Sequence, residues 1–176
     1  MIETNYDYES GYHQGSIVEQ DATAFLGAFK HVGDVPERYH LPNFATEIDG
    51  EVAWNSFDAE ELEGLSYQQR RYVYGKAWRE WKAYCTKHSV HPALADPQDI
   101  ESHLAAQWET INRLKTAHDA RFRPLFRWYR WMQFHADYPH RYNPVVMAVL
   151  LGDVTSEIWA TRIGDRKNDP RRQDNE

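Results

Sequence analysis

Residues 70–85 read RRYVYGKAWREWKAYC, and they decide the fold class because large apolar side chains return every three or four positions. That period is typical of an amphipathic α-helix with one face in a core. The apolar stripe comprises Tyr74, Trp78, Trp81 and Cys85, and the opposing arc comprises Lys76, Arg79 and Lys82. The spacing predicts one long helix from Ser66 to His88.

Further helices follow downstream. Asp96-Pro97-Gln98-Asp99 predicts a helix start, because Asp is a preferred N-cap, Pro fits the first turn and an acid there complements the helix dipole. Another helix runs from about Leu114 to His135 and should kink or split at Pro124. Asn143-Pro144 begins a short apolar helix, Val145 to Leu151, which must be buried. Inward positions are Ile100, Leu104, Trp108, Ala117, Leu125, Trp128 and Met132. Four helices with short linkers predict an all-α domain.

Charge divides the chain sharply. Residues 1–64 carry fourteen acids and two bases (−12), residues 65–151 carry seven acids and thirteen bases (+6), and residues 152–176 carry six acids and five bases (−1), which gives the net −7. This asymmetry predicts an acidic extension (1–64), a basic helical domain (65–152), and a short helix with a charged tail (153–176).

Within the acidic extension, apolar residues from Val18 to Val32 recur at helical spacing and predict one helix over about 17–32, stopped by Gly33. Residues 33–64 are predicted as loop, with a hairpin turn indicated at Ile48-Asp49-Gly50-Glu51.

Composition limits the class of protein. A single cysteine excludes an internal disulfide framework and a Cys-rich zinc site, which suits a reducing cytoplasm. The first residues lack the pattern of a secretion signal, and the longest apolar run, seven residues from Val145 to Leu151, is too short to span a bilayer. We expect a soluble cytoplasmic protein with no membrane partner.

No catalytic constellation is evident. His118-Asp119-Ala120-Arg121 matches the HxxR pattern of phosphoryl-transfer recombinases, but its companion residues are missing, so a solvated helix face is the expectation. His88 and His91 lack further ligands for zinc. Cys85 lies on an apolar stripe, where a thiol is most often inert. We therefore expect no catalytic residue, no metal and no cofactor.

The arginines indicate a polyanion partner. Arg123, Arg127 and Arg130 are spaced four and three apart and form one helical stripe. Guanidinium groups match phosphate oxygens bidentately, and cations clustered on one face are the footprint of nucleic-acid binding. The alternative is a helix that uses arginine only to keep an aromatic core in water.

Four segments in order resemble the core-binding (SAM-like) domain of tyrosine recombinases, the phage-integrase family. RRYVYGKAWREWKAYC (70–85) resembles its first helix and ALADPQDIESHLAAQ (93–107) its second. TAHDARFRPLFRWYRWM (116–132) resembles the third, and YNPVVMAVLLG (142–152) the closing segment. The resemblance covers about half of the chain. It implies an orthogonal bundle of four main helices that helps to clamp duplex DNA.

By position in the family pattern, Arg70 stands where the first helix begins, Thr116 opens the third helix, and Arg121 occupies a basic site. The family's catalytic domain would begin near residue 155, so a chain ending at Glu176 is expected to be a truncated or stand-alone relative that cannot cut DNA. We predict a non-catalytic binder of double-stranded DNA, active in recombination or in regulation of a mobile element. The predicted DNA-binding residues are Arg70, Arg71, Lys76, Arg79, Lys82, Arg113, Lys115, Thr116, Arg121, Arg123, Arg127 and Arg130.

A second hypothesis from another class remains open. Helix 17–32 and segment 145–151 could dock a recombinase partner or a second copy of the chain, which would make it an interaction or oligomerisation module. An enzyme is the least favoured interpretation, because no nucleophile, base and oxyanion donor can be assembled.

Overall fold

A computed structural model describes residues 22–111 and 113–167, with side chains through residue 161. These residues are mostly helical and contain no β-strand, although one isolated antiparallel bridge pairs Gly27 with Tyr142. The all-α prediction is confirmed. The first 21 residues lie outside the described ranges.

The helices predicted after residue 65 are present near their predicted bounds. The α-helices of the described ranges are α1 (Gly50–Glu61), α2 (Gly75–His88), α3 (Pro97–Ile111), α4 (Leu114–Ala117), α5 (Arg123–Phe134), α6 (Pro144–Leu151) and α7 (Asp153–Lys167). Two π-helical turns adjoin them: π1 (Gln69–Tyr74) leads directly into α2, and π2 (His118–Phe122) joins α4 to α5. Short 3-10 turns cover Ala22–Phe25, Val32–Asp34, Glu37–Tyr39 and Leu41–Phe44.

Helix α1 overturns the prediction that residues 33–64 form a loop. Asp49, expected in a hairpin turn, is instead the N-cap of α1, and its carboxylate accepts hydrogen bonds from the backbone N–H groups of Glu51 (2.8 Å) and Val52 (3.0 Å). Asp is as favourable at an N-cap as in a turn, so the same residues fit both. Burial of the Trp54 and Phe57 side chains in the core stabilises the helix over the turn.

The helix predicted over 17–32 is wrong for its described part, because residues 22–32 form only short turns. Gly27 adopts φ +88°, which interrupts any helix, and it pairs with Tyr142. A side chain there would meet the Arg141 carbonyl oxygen at 2.8 Å. The apolar spacing reflects burial without a helix, since Leu26 is fully enclosed. Residues 17–21 lie outside the described residues.

An aromatic core crosses the charge boundary at residue 64. Trp54 of α1 stacks on Trp78 of α2, with ring centroids 5.0 Å apart, and both meet Trp128 of α5 edge-on. Leu26 and Leu41 from the acidic segment are fully buried in the same cluster. Residues 22–62 are therefore an integral part of the packed domain, whereas the sequence indicated an appended extension.

Pro124 lies next to a local distortion of its helix, but the predicted split is absent. It lacks a backbone N–H, so it fits the first turn of a helix and disrupts the interior of one. In the structure Pro124 lies in the first turn of α5, and the wider turn π2 separates α5 from α4. The helix nevertheless runs without a break from Leu114 to Phe134, and its distortion is the widened turn just before the proline.

Polar tips of three buried rings hold the linker between α2 and α3. The Trp81 indole N–H (3.0 Å) and the Tyr129 hydroxyl (2.6 Å) both donate to the Pro92 carbonyl oxygen. The His140 Nε2 bonds the Ala93 carbonyl oxygen at 2.7 Å, which places a proton on Nε2. These bonds satisfy backbone groups that lie in an otherwise apolar interior.

Glu101 of α3 fixes the start of α7. Its carboxylate accepts hydrogen bonds from the backbone N–H groups of Val154 (2.8 Å) and Thr155 (3.0 Å) and from the Thr155 hydroxyl (2.6 Å). Gly152 makes this approach possible, because a Cβ at that position would lie 2.1 Å from a Glu101 carboxylate oxygen. A carboxylate at a helix N-terminus is stabilising, so α3 and α7 are joined by charge as well as by packing.

Among the residues that the structure describes, no single helix has the length and apolarity needed to cross a bilayer. The consecutive helical segments Pro144–Leu151 and Asp153–Thr161, bent by 100°, reach that length and composition only together.

Candidate nucleic-acid interface

Carboxylates of α1 pair with three of the cations predicted to contact DNA. The pairs are Arg70 with Asp58 (Nη2–Oδ2 2.6 Å), Lys82 with Glu51 (Nζ–Oε2 3.0 Å) and Arg127 with Glu61 (Nη2–Oε2 3.8 Å). The three acids follow one another by seven and three positions, which places them on one face of the helix. These cations already have an anionic partner inside the protein, contrary to the expectation that they face solvent and phosphate.

Arg121 is likewise not accessible to a phosphate group. Its side chain is only 7% exposed and forms a two-point ion pair with the Glu80 carboxylate of α2, one bond running from Nη2 to Oε1 at 3.1 Å. The same guanidinium donates to the Gln107 side chain of α3 at 3.3 Å. Arg121 therefore ties π2 to α2 and α3, and its removal would leave Glu80 with only the distant, exposed Lys76 as a cationic partner.

The predicted stripe of Arg123, Arg127 and Arg130 is not an open face. All three are half-buried. Arg127 donates a 2.6 Å hydrogen bond to the Tyr74 hydroxyl oxygen, and the Arg130 guanidinium lies 5.1 Å from the Phe25 ring centroid. Helical spacing placed them correctly on one side of α5, but that side packs against π1 and the Phe25 segment. Only Arg123, at the start of α5, adjoins the exposed cations described next.

The remaining predicted residues are exposed. They are Arg71 in π1, Lys76 and Arg79 on α2, and Arg113, Lys115 and Thr116 at the start of α4. The Arg79 guanidinium folds back along α2 toward Gly75, and among the described residues it has no carboxylate partner. Lys76 lies 3.9 Å from Glu80, a distance at which an exposed pair contributes little to stability.

The turn π1 packs against π2, and the exposed groups lie next to these two turns in the chain, on α2 and at the start of α4. Lys76 adjoins the Glu80–Arg121 pair that links α2 to π2. Lys115 and Arg123 flank Asp119 in π2, where their charge helps to lower the pKa of the Asp119 carboxyl. We call Arg71, Lys76, Arg79, Arg113, Lys115 and Arg123, with Thr116 among them, the basic surface. Two acids lie close to these cations: Glu80 near Lys76, and Asp119 near Lys115 and Arg123.

The HxxR residues are buried, which corrects the expectation of a solvated face. His118 and Arg121 are 8% and 6% exposed, and they have different partners. The His118 Nδ1 lies 2.8 Å from an Asp119 carboxylate oxygen, and this hydrogen bond is the main reason that the pKa of Asp119 is lowered. The two side chains thus stabilise the π2 region and do not converge on a common point.

The other titratable candidates also take part in structure. His91 bonds the Ile48 carbonyl oxygen through Nε2 (2.8 Å) and accepts from the Ala93 N–H through Nδ1 (3.2 Å), so both ring nitrogens are used. Burial raises the pKa of the Cys85 thiol to about 12, which keeps it protonated and unreactive. Among the side chains described, no three of His, Cys, Asp or Glu come together as a metal site.

The surfaces proposed for protein docking are smaller than the sequence indicated. In segment 145–151 the residues through Val149 are buried, and only Leu150 (41%) and Leu151 (59%) are exposed. The other surface, helix 17–32, is absent from its described part.

Sequence reasoning missed two features of this region. The first is the pair of π-helical turns, for which the sequence offers no signal except Pro124. The second is the exposed aromatic pair Tyr67 (66%) and Tyr72 (54%), whose rings meet edge-on with centroids 6.2 Å apart. Their position on either side of Arg70-Arg71 in the sequence is the signal that could have identified them.

Comparison of the chain with protein-family models, curated proteins and solved structures finds no match.

Proposed function

We propose that this chain is a non-catalytic protein that binds the backbone of duplex DNA through its basic surface. The proposal is supported by the contact between π1 and π2 and by the exposed cations that lie next to these turns in the chain, on α2 and at the start of α4. The resemblance of residues 70–152 to core-binding domains of tyrosine recombinases supports the same proposal. A role in recombination or in regulation of a mobile element would follow from it.

The contacts assign different roles to the predicted DNA-binding residues. Arg70, Lys82, Arg121 and Arg127 hold the helices together, because each already pairs with a carboxylate. We expect the basic surface to bind the phosphates, because most of its long cationic side chains are exposed to solvent. Affinity that comes from phosphate contacts should fall with salt by about 0.9 in log–log slope for each phosphate neutralised.

The test is fluorescence anisotropy of a labelled duplex over a salt series. A triple variant, Lys76→Ala, Arg79→Ala and Arg113→Ala, should bind more weakly at low salt and lower the slope by roughly 2 to 3. Lys87→Ala is the matched control, since Lys87 is exposed at the far end of α2, outside the basic surface. The control should bind like the wild type, and circular dichroism should show unchanged helix content in all variants.

Equal affinity and equal slope for the triple variant and the wild type would exclude the basic surface as the interface. The alternative, an interaction or oligomerisation module, rests on the exposed Leu150 and Leu151 at the end of a buried helix. Size-exclusion chromatography with light scattering, with and without DNA, separates the two functions. A stable oligomer that ignores DNA would favour the alternative.

A further inference from the structure

The exposed tyrosines Tyr67 and Tyr72 meet at the start of π1, with Tyr67 two residues before the turn and Tyr72 inside it. In an α-helix, residues five positions apart point about 140° away from each other, because each residue turns the helix by about 100°. A π-helical turn bonds residue i to i+5 and so places such residues one above the other. The Tyr67 and Tyr72 rings meet at 87° with centroids 6.2 Å apart, and both remain more than half exposed.

This aromatic pair continues the basic surface. Tyr72, Lys76 and Arg79 are spaced four and three apart, all exposed, so they form one stripe along π1 and α2. At the other ring, the Arg71 guanidinium lies 5.9 Å from the Tyr67 centroid. A ligand that follows the cations along α2 would therefore arrive at two aromatic rings and an arginine.

We propose that Tyr67 and Tyr72 stack an unpaired DNA base that protrudes at the end of the phosphate track. The proposal rests on the proposed function and adds a preference for one kind of DNA. A fully paired duplex shows its base faces only at its ends, whereas an extrahelical base offers an open π-face beside its phosphates. Aromatic rings next to cations bind such bases in a sequence-tolerant way, and each stacked base strengthens binding by about 5- to 150-fold.

The test compares two labelled duplexes of identical length and phosphate number. One carries a single bulged thymine, and the other carries an abasic site at the same bulge. The wild type should bind the thymine bulge about tenfold more tightly than the abasic bulge. The double variant Tyr67→Leu, Tyr72→Leu should bind both with the affinity of the wild type for the abasic bulge, because it keeps every cation and an apolar side chain but has no ring.

Phe134→Leu is the matched control, since Phe134 is an exposed ring (77%) at the end of α5, away from π1. This control should retain the wild-type preference. Light scattering without DNA is run on the same proteins, because exposed tyrosines could also join two copies of the chain.

The possible results distinguish base stacking, duplex binding and self-association. Wild-type binding that is equally strong to both bulges would overturn the stacking proposal and leave duplex binding intact. Absence of binding to any DNA at low salt would overturn the proposed function and the stacking proposal together. A wild-type oligomer that the tyrosine variant dissociates, with no bulge preference, would assign the rings to self-association instead.

Discussion

Acidification should destabilise this fold through two buried histidines, His103 and His140. Burial lowers the pKa of each imidazole to about 4, with further contributions from the charge of Arg121 at His103 and of His91 at His140. The His140 Nδ1 is buried and has no hydrogen-bond partner among the described residues, so a proton there would lack an acceptor. Both histidines are therefore neutral in the folded protein at pH 7.

The direction and magnitude of this pH effect on the free energy of unfolding follow from the linkage between protonation and unfolding. Because the folded pKa lies below the unfolded value of about 6.5, the stabilisation is complete above pH 6.5 and is lost as pH falls toward 4. A difference of about 2.5 pKa units corresponds to roughly 3 kcal/mol per histidine. Near pH 5 the unfolded chain binds two more protons at these sites, so the free energy of unfolding should fall by about 2.7 kcal/mol per pH unit.

Urea denaturation followed by tryptophan fluorescence at several pH values between 7 and 4.5 measures this slope. His140→Gln keeps an N–H donor for the Ala93 carbonyl but removes the titrating group, so its slope should be smaller by about 1.4 kcal/mol per pH unit. His31→Gln, at an exposed position, is the matched control and should keep the wild-type slope. If His140→Gln and the wild type share one slope, burial of this imidazole does not control acid stability.

Four further substitutions, in two pairs, test the contacts that join the helices. Arg121→Ala should lower the free energy of unfolding by roughly 3 kcal/mol in chemical denaturation, because Glu80 loses its buried partner. Arg70→Ala should cost clearly less, because its pair with Asp58 is 39% and 31% exposed and is screened by solvent. Equal costs would contradict the structural role of Arg121. Gly152→Ala should displace the Glu101 carboxylate and speed amide exchange at Val154, and adding Glu101→Ala should cost less than additivity predicts. Unchanged exchange at Val154 would show that the carboxylate does not depend on the glycine.

The sequence was sufficient for helices whose apolar spacing is regular and whose ends carry clear caps. Helix α2 follows from its tryptophan stripe, and α6 from Asn143, whose side chain accepts from the Val145 and Val146 N–H groups. Burial then follows from the same spacing, as the fully enclosed Trp81 shows.

Other elements could not be predicted because local signals permit two structures. Asp49-Gly50 suits a turn as well as a helix start, and only packing of Trp54 against distant rings decides. The apolar spacing around Gly27 looked helical, but a long-range bridge to Tyr142 fixes the glycine in a left-handed conformation. Contacts between residues far apart in sequence are not visible in a local period.

The candidate site was partly predictable for a related reason. Composition identifies cations but not what they face, and Arg70, Lys82 and Arg127 face carboxylates of α1. A prediction of loop for residues 33–64 hides the face that these acids share on α1. The π-helical turns change the direction of side chains within a helix. Ideal α-helical geometry therefore does not predict that Tyr67 and Tyr72 meet.

The stack of Trp54 on Trp78 has a practical consequence for dissecting the molecule. A fragment beginning at residue 65 would hold every cation of the basic surface, and by charge alone it would seem an ideal minimal DNA binder. It would also lose the Trp54 indole, which packs between α2 and α5. The Trp78 and Trp128 rings would then be exposed to water. Truncation at residue 64 would therefore give a poorly folded fragment that is prone to aggregate. The shortest stable fragment of this protein must retain α1.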